Sequence, residues 1–432
     1  MLSAFLFTRE TGISNPRELR SGQLGHQYAT LVRSDHRYFP TRHSGIINVL
    51  AIEQINHRFM VAGGSDAKIT IWDLASRQGQ RHRYVMTGTV AGRKQSRQHG
   101  HNYGVSSLTW WPFDTGMFIT GSHDQTVKVW DAPSLTEAYT FELGARVNAH
   151  AVSDVAHHVG LVACGVDAAA IRLLDLRSSS AAHMLQGHEG VSVNAVKWSP
   201  VNEFVLASGG SDGTVRVWDV RRSNACLTVL DMEKTGGSRF GGQGHGRSQA
   251  FSSSSSSFLG EIKSHRGVVN GLTWLENGKK LISTGTDEMI RVWNLTGSLD
   301  SGTNGLINFG PLVRNRYLNN VSLVLSPIGD CVPQLLFSPS DNGEILVSQV
   351  HDGKLVRRLA GSVTMRKRVA GLASRGPDHV EIFSGNSDGD IILWEPAIEK
   401  RPSSLKRKAA DNESSRKPNV LTEVYKSLDV QF

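Results

Sequence analysis

The chain has 432 residues, 39% of them hydrophobic and 20% charged, with three cysteines and a formal net charge of +8. That composition suits a folded soluble protein, and no stretch approaches ~20 consecutive apolar residues, so no membrane span is expected. Cys164, Cys226 and Cys331 are scattered and never reach CxxC spacing, which argues against a disulfide framework or structural zinc and fits a reducing compartment.

The opening residues Met1 to Glu10 lack the basic start and long apolar run of a secretory signal. Leu2, Phe5 and Leu6 fall at i, i+3 and i+4, one face of a helix. Asn15, Pro16 and Glu18 then supply an N-cap, a first-position proline and an N3 glutamate. Leu19, with Leu24, gives this second helix an apolar side. Residues 1–25 therefore read as a helix-loop-helix, whose apolar face either packs on the domain that follows or docks in a groove of another protein.

From residue 43 the text becomes periodic. An aspartate precedes a tryptophan by six positions five times: Asp66/Trp72, Asp124/Trp130, Asp212/Trp218, Asp287/Trp293 and Asp388/Trp394. A histidine stands upstream of most: His43, His101, His188 and His265. Between them lie alternating apolar runs such as Val215 to Trp218, joined by turns such as Gly210-Ser211-Asp212-Gly213, the pattern of short antiparallel strands. Two units are degenerate. One runs from His150 through Asp167 to Leu174-Asp175, with leucine for tryptophan and one extra residue. The other spans about 319–360 and keeps only the turn Asp341-Asn342-Gly343. This is the signature of the WD-repeat family, which the chain resembles over nearly its whole length. The resemblance implies an all-β, seven-bladed propeller, with blades near 43–75, 101–140, 150–186, 188–230, 265–308, 319–360 and 361–396. A strand near Gln27 to Arg33 is expected to complete the last blade, because ring closure removes exposed edges. The domain is expected to span 26–397.

The same resemblance gives the recurring residues a structural role. In each blade the turn aspartate, the loop histidine, a strand Ser/Thr and the tryptophan indole are expected to form one hydrogen-bonded chain. The sets are His101, Asp124 and Trp130, with Thr120; His188, Ser208, Asp212 and Trp218; and His265, Ser283, Asp287 and Trp293. Ser384 offers the same place in the last blade. These histidines are read as fasteners, with no catalytic, metal or cofactor role. No phosphate-binding, zinc-protease or hydrolase motif is present.

Residues 77–100 and 231–260 are expected to be disordered insertions. The first is basic, with a net +6 over 77–98; the second is rich in Gly and Ser and does not have GxGxxG spacing. The tail, 398–432, is expected to be largely disordered, and its 400–417 stretch carries a net +5. The remainder of the chain is thus −3, so direct nucleic-acid contact by the folded body is expected to be weak or absent. Lys400, Arg401, Lys406, Arg407 and Lys408 read as a nuclear import signal, placing the protein in the nucleus.

Trp218-Asp219-Val220-Arg221 adds an arginine at the bottom rim beyond the repeat, and Leu174-Asp175-Leu176-Arg177 is a partial copy one blade earlier. This pair, together with the N-terminal helices, resembles the substrate receptors of cullin-four RING ubiquitin ligases. The opening Met1-Leu2, Thr11-Gly12 and Asn15-Pro16, the phrase Trp111 to Phe118, Leu185 to His188, and Trp218 to Arg222 narrow the likeness to the Cockayne syndrome group A family. The resemblance implies a non-catalytic receptor in transcription-coupled nucleotide excision repair. Leu2, Phe5, Leu6, Pro16, Leu19, Arg177, Asp219 and Arg221 would contact the large damaged-DNA-binding adaptor subunit, and through it the cullin-four and RING subunits. The Cockayne syndrome group B translocase at a stalled RNA polymerase would be the client. The alternative is a nuclear scaffold of the histone- or ribosome-assembly type.

Overall fold

The computed structural model describes residues 16–40, 43–78, 83–92, 100–155, 160–188, 190–222, 225–235, 262–295, 301–360, 367–377 and 379–397. Helix α1 (Pro16–Ala29) opens at the proline, as its fixed φ favours. It buries Ser21 and Tyr28 and packs Leu24, a stripe at i, i+3 and i+7. The helix therefore takes Gln27–Ala29 from the expected closing strand, and only β1 (Leu31–Arg33) remains extended.

Twenty-eight strands among the described residues form seven four-stranded antiparallel sheets. Blade 1 is β2 (Ile47–Ile52), β3 (Phe59–Gly64), β4 (Ile69–Gln78) and β5 (Arg83–Val90). Blade 2 is β6 (Val105–Trp110), β7 (Met117–Ser122), β8 (Thr126–Asp131) and β9 (Thr136–Glu142). Blade 3 is β10 (Val147–Val152), β11 (Leu161–Val166), β12 (Ala170–Asp175) and β13 (Ser180–Gln186). Blade 4 is β14 (Val193–Trp198), β15 (Val205–Gly210), β16 (Val215–Asp219) and β17 (Cys226–Val229). Blade 5 is β18 (Val269–Trp274), β19 (Lys280–Gly285), β20 (Ile290–Asn294) and β21 (Thr303–Asn304). Blade 6 is β22 (Val324–Leu325), β23 (Leu335–Pro339), β24 (Glu344–Gln349) and β25 (Leu355–Ala360). Blade 7 is β26 (Val369–Ser374), β27 (Ile382–Asn386) and β28 (Ile391–Pro396), with β1 paired antiparallel to β28 as its outer strand. The chain is a seven-bladed WD-repeat β-propeller whose ring is latched by its own N-terminal strand.

One expectation is corrected. β4 runs to Gln78 and β5 covers Arg83–Val90, so much of the stretch expected to be a disordered insertion is the outer strand of blade 1. An outer strand is half solvated, so Arg83 sits comfortably at its exposed start. Residues 93–99 and 236–261 lie outside the described residues.

The apolar core lies in the seams between blades. Ile47 and Trp72 of blade 1 pack with Phe383 and Leu393 of blade 7, and Val61 and Ile71 pack with Trp110 and Phe118 of blade 2. A blade alone cannot bury these faces, which makes the ring the folding unit. Strands β2, β6, β10, β14 and β18 contact one another in succession, and β26 returns to β2, around a central channel. Neighbours are stitched at both ends of that channel. At one end Asn48 donates to the Val105 carbonyl (2.8 Å), Ser106 to Val147 (2.5 Å) and Asn148 to Val193 (3.2 Å). At the other, the indoles of Trp110, Trp198 and Trp274 donate to Ala51, Ala151 and Lys197 carbonyls at 3.1–3.3 Å. Because each sheet is a four-stranded meander, the β14–β15 and β16–β17 type connections share one rim, here the underside. The β15–β16 turns and the links between blades share the other, the top.

Candidate partner-binding surfaces

The blade tetrads show which polar residues are already occupied within the fold. In blade 4 the Trp218 indole donates to Ser208 Oγ (2.7 Å), Ser208 Oγ lies 2.8 Å from His188 Nε2, and His188 Nδ1 lies 3.2 Å from Asp212. Blade 2 repeats this with Trp130, Thr120, His101 and Asp124 at 2.8, 2.7 and 2.9 Å. Blade 5 does so with Trp293, Ser283, His265 and Asp287 at 2.8, 2.7 and 2.9 Å. In blade 1, Thr70 on the next strand takes the hydroxyl role between His43 and Trp72. In blade 7, Trp394 donates to Ser384 (2.9 Å), and Lys367 pairs with Asp388. Burial alone would raise Asp66 and Asp212, but the histidine hydrogen bond and backbone N–H donors hold both at about 2. The Ser–His–Asp order is that of a hydrolase, yet Ser208 is wholly buried and its lone pair is taken by the indole. No substrate carbonyl can reach it. Among the described residues, no cluster of His, Cys, Asp or Glu is arranged to hold a metal ion.

Turn glycines join these units. Gly213 has φ +78°, and a Cβ there would meet the His265 carbonyl at 2.4 Å. The His265 N–H donates to the Gly213 carbonyl (2.9 Å), so each turn seats the next blade's histidine.

The degenerate blades differ from their sequence reading. His150 lies inside β10, not in the loop before it, and its Nδ1 meets Ser107 Oγ of blade 2 at 2.6 Å. By register Leu143, Cys164, Ala168 and Leu174 hold the four tetrad places of blade 3, since Cys164 faces Arg172 as Ser208 faces Arg216. Asp167 stands one place before the turn aspartate position, at the place of Ser211, which accounts for the extra residue. In blade 6 the turn bonds place Asn342 where Asp212 stands, and Asp341 pairs outward with Arg368 of blade 7 (3.1 Å).

On the underside, Arg221 forks onto Asp219, with Nε and Nη2 at 3.1 and 3.0 Å, and lies over the Phe204 ring at 4.3 Å. Its side chain stays 57% exposed, so the guanidinium is pre-set with one edge outward. Arg177 stands at the same place after Asp175, and its backbone N–H likewise bonds that aspartate (2.9 Å). By register Gly160 replaces the stacking ring, and the Arg177 side chain is exposed without that support. Pro16 and Leu19 lie on α1, whose apolar stripe is covered by blades 6 and 7 of its own propeller. Leu2, Phe5 and Leu6, and the basic cluster Lys400 to Lys408, lie outside the described residues.

Sequence reading missed an apolar arc that only the ring assembles. The first loop of blade 4 exposes Val201 (59%), which packs beside Gly278 of blade 5. Glu276 of blade 5 accepts the Ile328 N–H (3.3 Å) of blade 6. That loop exposes Ile328 (61%) and Val332 (84%) and holds Asp330 and Cys331 against α1. Arg221, Phe204, Val201, Ile328 and Val332 thus follow one another along the underside towards α1. Exposed apolar side chains gathered on one rim are candidates for meeting another molecule.

The fold and its hydrogen-bonded tetrads define a WD-repeat scaffold, a class that works by binding other proteins. Residues 92–131, 179–219 and 256–294 match the family described as WD domain, G-beta repeat. The WD repeat-containing protein ATCSA-1 of Arabidopsis thaliana is 28% identical to the chain, over 90% of it and 94% of that protein. Radiation-sensitive protein 28 of Saccharomyces cerevisiae is 28% identical over 60% of the chain and only 51% of its own length. The ribosome biogenesis protein WDR12 homolog of Chlamydomonas reinhardtii is 30% identical over 41% of the chain and 43% of that protein.

Proposed function

We propose that the chain is the substrate-recognition subunit of a cullin-four RING ubiquitin ligase, acting in the nucleus in transcription-coupled nucleotide excision repair. The observation that carries this reading is the likeness to ATCSA-1, which extends over 90% of the chain and 94% of that protein. The name of the radiation-sensitive yeast relative agrees with a repair role. The ribosome-biogenesis relatives favour a plain assembly scaffold, but they match under half of the chain.

In this reading the underside meets the adaptor. Arg221 enters the interface with its rotamer already fixed by Asp219 and Phe204, so little side-chain entropy is lost on docking. Val201, Ile328 and Val332 supply apolar area next to it. α1 is braced on the propeller by Tyr28 and Leu24. The adaptor carries cullin-four and the RING subunit, and the top face is left for the repair client.

The test is a pull-down of the adaptor by the full chain, by an Arg177→Ala/Arg221→Ala double variant and by a chain lacking residues 1–20. All three are checked for an intact propeller by thermal melting. Both altered chains are expected to lose the adaptor while melting cooperatively. Undiminished capture by the two would leave the scaffold reading standing alone.

A further inference from the structure

Blade 1 carries a forked arginine that the step from Asp219 to Arg221 does not predict. Register pairs Phe59 with Asp73 in blade 1 and Val205 with Asp219 in blade 4, so Arg58 stands where Phe204 stands. Two places after Asp73, where Arg221 would be, blade 1 has Ala75. The arginine has changed strands: it reaches its aspartate from the start of β3 instead of from the end of the tryptophan strand. Arg58 Nε donates to Asp73 Oδ1 (3.1 Å) and Nη2 to Oδ2 (2.7 Å), and the guanidinium lies 5.0 Å from the centre of the Phe59 ring. This is the fork that Arg221 makes with Asp219. The Ala75 and Ser76 N–H groups and the Ser76 hydroxyl fill the rest of the buried Asp73 carboxylate. The Arg58 side chain is 50% exposed, and its Nη1 has no partner among the described residues.

The loop before Arg58 also repeats blade 4. The Glu53 N–H donates to the Phe59 carbonyl and the Ser199 N–H to the Val205 carbonyl, both at 2.9 Å. Inside the loop the buried Glu53 carboxylate accepts the N–H groups of Ile55 (2.9 Å) and Asn56. Ser199 Oγ does the same for Val201 (3.3 Å) and Asn202 (3.2 Å). Ile55 therefore takes the place of Val201, and it too is exposed (49%). Blade 7 holds this loop from the side. Arg375 donates through Nε to the His57 carbonyl (3.1 Å) and through Nη1 to Glu381 (2.6 Å). Arg37, just beyond β1, pairs with Glu381 and with Glu395 (3.3 Å). One chain of polar contacts thus joins the segment that carries α1 to the loop that carries Arg58.

The arc that starts at Arg221 and reaches α1 is taken up again beyond blade 7, at Ile55 and Arg58. We infer that the Ile55 to Arg58 loop is a second docking point for the partner that takes the underside, where the outer edge of Arg58 receives a carboxylate of that partner and Ile55 packs beside it. This rests on the adaptor being that partner. Arg58 is preset by Asp73 as Arg221 is by Asp219, so it too docks with little loss of side-chain freedom. Blades 1 and 4 are well separated in ring order, so two such points fix the rotation of the partner about the propeller axis, which one arginine cannot do.

The test measures the dissociation constant of the adaptor for the full chain and for Arg58→Ala, Ile55→Asp and Arg221→Ala, at low and at high salt, with thermal melting alongside. Arg58→Ala is expected to weaken binding about tenfold, the range of a charge-assisted hydrogen bond. It should also flatten the salt dependence, because one contact between opposite charges is gone. Ile55→Asp sets a like charge against the partner's carboxylate and should weaken binding by about as much. It leaves Asp73 untouched, so it carries the test if Arg58→Ala melts early. Joined in one chain, Arg58→Ala and Arg221→Ala should multiply their effects, because the two sites share no contacts. The inference is overturned if Arg58→Ala and Ile55→Asp bind as tightly as the parent while Arg221→Ala does not. It is equally overturned if Arg58→Ala weakens binding with the salt dependence unchanged, the mark of a purely structural role. A parent that binds no adaptor at all removes the adaptor reading itself, and the second docking point with it.

Discussion

Blades 3 and 4 are neighbours with the same strand geometry, yet they are fastened in opposite ways. Blade 4 threads Trp218, Ser208, His188 and Asp212 on a buried chain of hydrogen bonds. Blade 3 has Leu174, Cys164, Leu143 and Ala168 in the same four places, and all but Ala168 are fully buried in one apolar cluster. The lesson is in the coordination. Removing one partner of a buried pair strands the other at about 1–3 kcal/mol, whereas replacing every partner by apolar groups is nearly neutral. Within blade 4, a half-paired network is the costly state.

The strongest way to break that comparison is Trp218→Ala. It removes a large buried side chain and leaves Ser208 without its indole donor, so a loss of about 3–5 kcal/mol in unfolding free energy is expected by denaturant titration. Ser208→Ala is milder. It leaves both the Trp218 N–H and His188 Nε2 unpaired, at a cost of about 1–3 kcal/mol. The matching Cys164→Ala change in blade 3 strands nothing and should cost less than Ser208→Ala. The sharper version carries His188→Leu, Asp212→Ala, Ser208→Cys and Trp218→Leu together, which rebuilds the blade 3 set in blade 4. Its destabilisation should be well below the sum of the four single changes, because the four sites are coupled. Simple additivity would show that the network is not a unit.

Much of this was legible in the sequence because the tetrad is local. The six-residue step from Asp to Trp is fixed by one turn and one strand, so it survives without any knowledge of the ring. The weak sixth blade was readable from Asp341-Asn342-Gly343 alone, because a hairpin with φ +80° at Gly343 needs that chemistry. Position within a repeat was harder. His150 reads as a loop histidine because spacing along the chain cannot tell a strand interior from the loop before it. Strand β5 was hidden because an outer strand is solvated and Arg83, at its start, belongs to a basic run that looks like a linker. Val201, Ile328 and Val332 carry no motif. They share one rim only because loops of blades 4 and 6 flank the loop of blade 5, an arrangement that no single repeat encodes.

The smallest effect separates the blades by pH. His150 belongs to blade 3 yet sits outside any tetrad, and burial first, then nearby Lys197, lowers its pKa to about 3. In the unfolded chain an ordinary histidine takes up a proton near pH 6.5. Between those values the unfolded state holds more protons than the folded one, so stability rises with pH and is lost as pH falls below 6.5. The tetrad aspartates act later. Asp66 and Asp212 are held at about 2, so the stability they supply is present above the ordinary carboxylate range and drains only below it. His265 is also lowered by burial and loses stability on the same side as His150, so the measurement must be a difference between two proteins. Chemical denaturation of the parent and of His150→Gln at pH 7.5 and 5.5 supplies it. The parent should lose about 1.4 kcal/mol more than the variant over that interval, the worth of one proton across one unit below 6.5. Equal losses in the two would mean that His150 is charged in the fold, with Ser107 and its unpaired Nε2 side solvated well enough to hold an imidazolium.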